Sequence, residues 1–346
     1  MYSSVEAILC FAWAMMISLF AIPSITYVAH LKNLLDKPNQ RTLHHLLTPR
    51  LGGLAIFAGT FSATLIFGKI NSDMQYLLGG ATIIYYIGLK DDIVSVSAFK
   101  KFFVQILAAG IVIFLGDIRL KSFHGLLGVF ELPIGLSYGI SFLAIIGITN
   151  AVNLIDGLDG LAGSIIVVIS GTFGWYFMMH GGEKYFPSSY VAFSLMGAMI
   201  GFLRYNFTKA VIFMGDTGSL VSGFMIAVLT VQFIDMQVVD VAGPSVGIAI
   251  LFVPMFDTLR VFSLRIAKGI SPFTPDKNHI HHILISTGIG QVKTVIVLVL
   301  LNCLVVGFVH FFMFLGNHVL ISIILVFALL LALLLEYLRR KFALND

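Results

Sequence analysis

Charged side chains are scarce in this sequence. Asp, Glu, Lys and Arg make up only 11% of its 346 residues, and 58% are hydrophobic, whereas a soluble domain has about 25% charged and about 45–50% apolar residues. This composition excludes an ordinary water-soluble domain and predicts a membrane protein. The formal net charge of +4 does not by itself indicate nucleic-acid binding, and we expect no nucleic-acid partner.

Cysteine is nearly absent too. Cys10 and Cys303 both lie inside apolar runs, which argues against a disulfide framework, a cysteine-based metal site and redox chemistry. The first apolar run follows Glu6 and no basic residue, and it is longer than the ~7–15 apolar residues of a signal-peptide core. We interpret it as a retained span. No repeat or soluble domain is visible, so residues 1–346 are predicted to form one integral membrane domain.

The apolar runs predict an all-α polytopic bundle. Every backbone polar group in lipid must be bonded internally, and a helical span needs about 17–25 mostly apolar residues. About eleven transmembrane helices are expected, of which the third, fourth and fifth have the least certain ends. They are 7–29, 51–67, 76–89, 102–115, 134–148, 161–179, 188–203, 212–233, 246–264, 294–315 and 319–338.

Lysine and arginine predict the orientation, because they favour cytoplasmic loops. With the N-terminus outside, sixteen of the 21 Lys and Arg residues fall in inside segments and Arg260 falls within a span. Only Lys69, Arg119, Lys121 and Lys184 remain outside. We therefore expect an outside N-terminus and a cytoplasmic C-terminus.

Five polar clusters fall in the loops that this topology places inside. They read DKPNQRTLHH, KDDIVSVSAFKK, NAVNLIDGLDG, FMGDTGS and PDKNHIHH. The outer loops carry acids singly and show no comparable grouping. The chemistry is therefore predicted to lie on the cytoplasmic face.

Carboxylates and carboxamides in two of these clusters indicate a metal site. Asp156 and Asp159, at i and i+3, are expected to share a helical face, where like charges repel unless a cation or protons lie between them. Mg²⁺ prefers such oxygen ligands and takes one or two carboxylates together with substrate phosphates. Asn153, Asp156, Asp159 and Asp216 supply these ligands; the alternative is a loop of turn-forming residues.

Three further positions are each open to a plainer interpretation. The pair Asp91 and Asp92 is either part of the site or a solvated helix cap. Asp216 opens the eighth span, where a helix N-terminus favours bound phosphates, or it is simply an N-cap. Lys101 is either an anion ligand or a snorkelling lysine at the membrane interface.

The histidine motif HIHH ends a long basic loop that contains Arg265 and Lys277. Three histidines are able to bind zinc, but no cysteine or fourth ligand is near in sequence. The flanking cations favour a phosphate-binding role for His279, His281 and His282, and an inert exposed cluster is the third interpretation.

Asp257 and Arg260 lie at i and i+3 inside the ninth span. Charges within the membrane are costly and usually pair while facing a bundle interior. We interpret the pair as structural support for the site, with direct substrate contact as the alternative.

The stretches DDIVSVS, NAVNLIDGLDGLA and MGDTGS, in this order between DKPNQR and HIHH, resemble one family. The chain looks like the polyprenyl-phosphate N-acetylhexosamine-1-phosphate transferases, glycosyltransferase family 4. Its TPRLGG and HIHH differ from the TPTMGG and HHH of the cell-wall branch, which transfers phospho-N-acetylmuramoyl-pentapeptide. The chain is therefore more similar to the undecaprenyl-phosphate N-acetylglucosaminyl-1-phosphate transferases. Thr42 departs from the basic residue that many relatives have there.

The resemblance implies roles for particular positions. Asn153 and Asp216 match metal ligands, Asp159 matches a residue near the uracil, and Lys101 matches a diphosphate contact. The expected catalytic group is Asp91, Asp92, Lys101, Asp156, His279, His281 and His282. The expected substrate-binding residues are Arg41, Asn150, Asp159 and Arg265.

The resemblance also implies a reaction. A UDP-N-acetylhexosamine and undecaprenyl phosphate, with Mg²⁺ as cofactor, would give an undecaprenyl-diphospho-sugar and UMP at the bacterial inner membrane, starting a surface polysaccharide such as O-antigen. The cell-wall branch is the alternative. A secondary transporter is a further alternative, but transporters place their sites near the bilayer midplane and often show repeated halves. The sequence leaves open the sugar and the oligomeric state, including a homodimer.

Overall fold

The computed structural model describes residues 2–35, 48–236, 242–272, 274 and 278–342. Its α-helices are α1 (Tyr2–Leu31), α2 (Gly52–Phe67), α3 (Ser72–Ile93), α4 (Ala98–Gly110), α5 (Ile134–Leu154), α6 (Leu161–His180), α7 (Phe186–Asn206), α8 (Gly215–Asp235), α9 (Gly243–Ile250), α10 (Phe252–Ala267), α11 (Ile280–Ser286), α12 (Gln291–Phe311) and α13 (Gly316–Phe342). β pairing between two described residues is limited to an isolated bridge of Ser122 with Glu131, and no described residue lies in a strand. The predicted all-α architecture is confirmed.

Each of the eleven predicted apolar runs is helical. In the described part of the chain, eight helices are long and apolar enough to cross a membrane, and the bent pair α9 and α10 would make a ninth crossing. α2 is shorter, and the last turn of α3 is charged. The protein is therefore a multi-pass helical membrane protein, while the count of eleven crossings and the orientation stay predictions.

Two helices continue well past the apolar runs that predicted them. α3 ends at Ile93 rather than at residue 89, and α5 ends at Leu154 rather than at residue 148. An apolar run marks only the part of a helix that faces lipid or core, because the backbone hydrogen bonds continue under polar side chains. The added turns carry Asp91, Asp92 and Asn153 out at one end of the bundle.

The ninth predicted span is not one straight helix. α9 and α10 meet at Leu251 with a bend of 77°. Pro254 lies in the first turn of α10 and has no N–H for the carbonyl of Ile250. Asn302 of α12 compensates, since its amide donates to the Ile250 carbonyl (3.1 Å) and its Oδ1 accepts from the Val253 N–H (3.1 Å). The break is therefore satisfied inside the protein, as lipid requires.

α8 is the centre of the bundle. Its most apolar window is 94% buried, against 17% for α13, whose outer surface is a row of leucines. α8 packs against α2, α3, α5 and α6. The two ends of α8 are therefore placed by most of the other helices, and its N-terminal end carries the site.

Candidate active site

Lys101 joins two acidic residues at one end of the bundle. Its ammonium lies 2.6 Å from Asp216 Oδ2 and 3.1 Å from Asp91 Oδ2. Asp91 lies in the last turn of α3, Lys101 in the first turn of α4 and Asp216 in the first turn of α8. Two of the predicted clusters, KDDIVSVSAFKK and FMGDTGS, therefore converge. A snorkelling lysine would face the interface, so this geometry favours the interpretation of Lys101 as part of a site.

Asp92 does something different from its neighbour Asp91. Its carboxylate accepts hydrogen bonds from the backbone N–H of Asp216 (2.7 Å), the backbone N–H of Thr217 (2.9 Å) and the Thr217 hydroxyl (2.5 Å). These N–H groups have no partner within their own helix, and the negative charge is favourable at a helix N-terminus. Asp92 therefore caps α8 from another helix, and Asp216 is not the cap.

Glycines let two helices, α2 and α3, approach the capped end of α8. A Cβ added to Gly53 would lie 2.2 Å from the Gly218 nitrogen, and one added to Gly88 would lie 2.6 Å from the Thr217 Cα. Gly53 also donates its N–H to the Met214 carbonyl (2.9 Å). The TPRLGG stretch thus packs directly on MGDTGS, which explains why glycine is required there.

The carboxamide of Asn153 is oriented by a serine. Its Nδ2 donates to Ser219 Oγ (2.8 Å), and the Ser219 hydroxyl donates to the Gly215 carbonyl (2.9 Å). The bond to the nitrogen fixes the orientation of the amide, and Asn153 Oδ1 has no hydrogen-bond partner among the described residues. An oxygen held in this manner is available to a cation.

Asn150, expected to bind substrate, is paired with a neighbouring helix. Its Nδ2 donates to Gln105 Oε1 (2.7 Å) and to the Ile146 carbonyl (2.8 Å). Gln105 is almost completely buried. In this structure Asn150 therefore ties α5 to α4 beside the site.

The prediction that Asp156 and Asp159 share a helical face is wrong. Residues 155–160 form turns between α5 and α6, and Gly160 has a φ of +77° that ends the turn. Asp159 is buried, and its Oδ2 accepts from the Ala210 N–H (3.3 Å). Two glycines in the loop favour turns over a helix, and this outweighed the i, i+3 spacing of the two acids.

Asp156 is the least satisfied acid of the cluster. The residue is half-buried, and its carboxylate makes no hydrogen bond or ion pair within the described residues. Desolvation, together with the nearby negative charges of Asp216 and Asp92, raises its pKa to about 7. A carboxylate in this situation is stabilised by a proton or by a cation.

The histidine motif lies against residues 155–160, the acidic loop that carries Asp156 and Asp159. His281 is buried, and its ring occupies the space where a Cβ on Gly157 would be, 2.8 Å from Nε2. Burial lowers the pKa of His281 to about 3, so its ring is neutral. Both ring nitrogens are buried without a partner in the described residues. His281 is placed here as a packing partner of the loop, and the ring of His282 lies tilted beside it, with the two ring centroids 4.3 Å apart.

His279 is held by the charged pair predicted within the ninth span. Its Nδ1 lies 2.8 Å from Asp257 Oδ2, and Asp257 Oδ1 accepts from Arg260 Nη2 (3.0 Å). Both side chains of the pair are buried. This arrangement gives Asp257 and Arg260 the supporting position that the sequence predicts.

The donor set fits magnesium better than zinc. No three or more His, Cys, Asp or Glu residues among those described form a group that could hold a metal, so the histidines do not converge as a zinc site would. Magnesium needs no such cage, since substrate phosphates complete its shell. Asn153 Oδ1, Asp156 and Asp216 are the candidate oxygen ligands for such an ion.

Arg41, predicted to bind substrate, lies outside the described residues, as does Lys277 of the histidine loop. Arg265 is buried and donates to the carbonyl of Pro272 in its own loop. Conversely, Thr217, Ser219 and Gln105 hold site residues and carried no predicted role, although two of them lie within the quoted motif MGDTGS.

The fold and the site together define a class of protein. It is a multi-pass membrane protein that has a lysine, several acids and a carboxamide gathered at one end of its helices. A family model described as glycosyl transferase family 4 matches residues 74–234. In Bacillus subtilis (strain 168) the probable undecaprenyl-phosphate N-acetylglucosaminyl 1-phosphate transferase is 35% identical over 303 residues, covering 86% of this chain and 82% of that protein.

Two further relatives have related names. The decaprenyl-phosphate N-acetylglucosaminephosphotransferase of Mycobacterium tuberculosis (strain CDC 1551 / Oshkosh) is 31% identical over 313 residues, covering 83% of this chain and 78% of that protein. The undecaprenyl-phosphate alpha-N-acetylglucosaminyl 1-phosphate transferase of Yersinia pestis is 29% identical over 260 residues, covering 74% and 70%. The chain belongs to glycosyl transferase family 4, as its motifs predict, and it is an enzyme.

Proposed function

We propose that this enzyme transfers N-acetylglucosamine 1-phosphate from its UDP derivative to undecaprenyl phosphate, releasing UMP. One observation carries the proposal: the ammonium of Lys101 is held between Asp91 and Asp216. The charge of Asp216 also acts on the carboxylate of Asp156, which has no hydrogen-bond partner among the described residues. The reaction brings an anionic phosphate to an anionic diphosphate, which requires cationic groups. The relatives named above are all N-acetylglucosaminyl phosphate transferases, which favours this donor over a muramoyl-pentapeptide.

Magnesium is the proposed cofactor. Asn153, Asp156 and Asp216 would hold it, and when bound it would neutralise charge on the substrate diphosphate. Ser219 keeps the Asn153 oxygen available, and Lys101 adds a second positive charge next to Asp216. The UDP-sugar would lie between this end of α8 and the histidine motif, with the lipid chain in a groove between helices.

We propose direct attack by the lipid phosphate on the sugar-bearing phosphorus, with no covalent enzyme intermediate. A phosphate monoester, with a second pKa of about 6, is mostly dianionic at neutral pH and needs no base. Both oxygens of Asp92 are engaged by α8, and Asp91 accepts from Lys101 and from the Val96 N–H (2.5 Å). Neither acid is free to act as a nucleophile, which supports the direct route.

The proposed location is the bacterial inner membrane with the site facing the cytoplasm. The excess of Lys and Arg in the segments at that end supports this orientation. The product would start a surface polysaccharide, and the oligomeric state, including a homodimer, is left open.

The test is an assay of UMP release from UDP-N-acetylglucosamine by purified enzyme. Release is expected to require both Mg²⁺ and polyprenyl phosphate. Asp216→Asn should lower turnover by at least about a hundredfold with unchanged abundance in the membrane. Asp235→Asn, at the opposite end of the same helix, is the matched control and should be nearly silent. No release with any UDP-sugar would reject the proposal and reopen the transporter interpretation.

Exchange of labelled UMP into UDP-N-acetylglucosamine separates the two routes. Enzyme stripped of polyprenyl phosphate should show no exchange, and added lipid should restore it. Exchange with lipid rigorously absent, together with a labelled adduct lost in Asp91→Asn or Asp92→Asn, would establish the covalent route instead.

A further inference from the structure

The last turn of α13 contacts the segment that carries the histidine motif. Arg339 forms a two-pronged ion pair with Glu336, through Nε (2.9 Å) and Nη2 (2.8 Å). Its third nitrogen, Nη1, donates to Asn278 Oδ1 (3.1 Å). Asn278 directly precedes His279. A guanidinium fixed by one carboxylate on its own helix therefore reaches across to the first residue before the motif.

The same asparagine is held from its other side by the buried charged pair. Its carbonyl accepts from Arg260 Nη2, which also donates to Asp257 Oδ1. Asp257 in turn bonds the ring of His279 at 2.8 Å and the backbone N–H of Ile280 at 2.9 Å. One connected set of hydrogen bonds thus runs from Arg339 to the histidine ring.

α11 depends on these contacts for its position. It has seven residues, and a helix of two turns is not stable by itself. Its first N–H group is capped by Asp257 of α10, and its second residue is His281, which packs on Gly157 of the acidic loop. Moving Asn278 therefore moves the start of α11, and His281 moves relative to the acids.

We propose that Arg339 is a positioning residue for the transfer reaction. Through its bond to Asn278, Arg339 sets where His279 and His281 lie relative to the acidic loop. The UDP-sugar is proposed to lie beside these histidines. Glu336 assists by fixing the orientation of the guanidinium. The kinetic part of this inference rests on the proposed function; the structural part does not.

The neighbouring arginine supplies a matched control. Arg340 also pairs with Glu336, through Nε at 2.8 Å, but it is exposed and its hydrogen bonds do not reach Asn278. Arg339→Ala and Arg340→Ala thus each remove one cation from the same turn and the same carboxylate. Only Arg339→Ala removes the bond to the histidine segment.

Steady-state kinetics is the first measurement. Arg339→Ala should raise KM for UDP-N-acetylglucosamine about tenfold, within the range expected when a binding group is misplaced by a fraction of an ångström, and leave KM for polyprenyl phosphate unchanged. Arg339→Lys should be intermediate, because a lysine is able to donate to Asn278 but cannot form the two-pronged pair. Arg340→Ala should match the wild type.

Hydrogen exchange of residues 278–286, without any substrate, is the second measurement. Arg339→Ala should speed exchange of this segment and Arg340→Ala should not. Asn278→Ala removes the same bond from its other partner, so it should also speed exchange of this segment. It carries the test if Arg339→Ala does not fold. The double variant Arg339→Ala with Asn278→Ala should exchange no faster than either single variant. Equal behaviour of the two arginine variants, or additive effects, would overturn the inference. A wild type that releases no UMP while the exchange contrast holds would refute only the proposed function.

Discussion

Replacing Asp92 with asparagine tests whether this acid anchors α8. The carboxylate accepts three hydrogen bonds, one on Oδ1 and two on Oδ2. Asparagine keeps one acceptor oxygen and places an NH₂ group against at least one buried N–H. A hydrogen bond to a charged group contributes about 1.5–3 kcal/mol, and an unsatisfied buried donor costs a further ~1–3 kcal/mol. We expect Asp92→Asn to lose about 2.5–6 kcal/mol of stability in total.

The loss should appear in both stability and turnover. The apparent Tm of purified Asp92→Asn should fall by several degrees, since 1 kcal/mol corresponds to roughly 2–4 °C even for smaller domains. Turnover should fall about a hundredfold, because Asp216 moves with the helix end that Asp92 caps. Thr217→Val, which removes only the hydroxyl bond, should have a smaller effect, and Thr217→Ser should be close to the wild type.

The double variant distinguishes an anchor from a catalytic group. If Asp92 acts through Thr217, Asp92→Asn and Thr217→Val should be strongly non-additive in Tm and in turnover. An unchanged Tm in Asp92→Asn with turnover abolished would refute the anchoring role and leave Asp92 as a group that touches the reaction directly.

Three further outcomes are expected. Gly157→Ala should lower both turnover and Tm, since its Cβ would lie 2.8 Å from His281 Nε2. Adding His281→Ala removes this clash and should recover part of the loss of Tm; unchanged turnover in Gly157→Ala would show that the two loops do not touch. Because the pKa of Asp156 is raised to about 7 from 3.8, its contribution to stability is present at low pH and lost as pH rises through about 7. Metal-free Tm should therefore fall between pH of about 4 and about 7 and level off above that. Mg²⁺ should restore it only at the higher pH, and Asp156→Asn should flatten the profile; a flat wild-type profile contradicts this. Exchanging residues 268–282 with those of a relative that prefers another sugar should shift the ratio of kcat/KM between donors, and an unchanged ratio in an active chimera would place specificity elsewhere.

Most of the helical architecture was predictable because long apolar runs have one solution in lipid. The convergence of Lys101 with Asp91 and Asp216 also follows the prediction that these clusters lie on one face. Helix ends were less predictable, since α3 and α5 continue under polar side chains. Those extra turns are where the site begins.

What sequence could not supply is the identity of distant partners. Asp91 and Asp92 are adjacent and chemically identical, yet one holds a lysine and the other caps α8 through Thr217, 125 positions away. The bend at Leu251 likewise depends on Asn302, which satisfies the freed carbonyl from another helix. Local spacing cannot distinguish such roles, because each is decided by a residue far along the chain.

In the loop between α5 and α6, the i, i+3 spacing rule predicts the wrong structure. An i, i+3 pair of acids is compatible with a helix, but Gly157 and Gly160 lie within and just after it, and Gly160 adopts φ of +77°. Glycine at such a position favours a turn. The two glycines, rather than the spacing of the acids, predict the turn that separates Asp156 from Asp159.

The central position of α8 bears on how the protein is made. Seven helices are synthesised before it, and α2, α3, α5 and α6 all pack on its surface. Until residue 235 has left the ribosome and entered the bilayer, the glycine faces of Gly53 and Gly88 have nothing to close against. The helices α1, α2, α6 and α7 pack extensively on one another and are able to associate before α8 is made, whereas α3 and α5 make their most extensive contacts with α8. The end of the bundle that carries the site therefore closes only after α8 has been inserted.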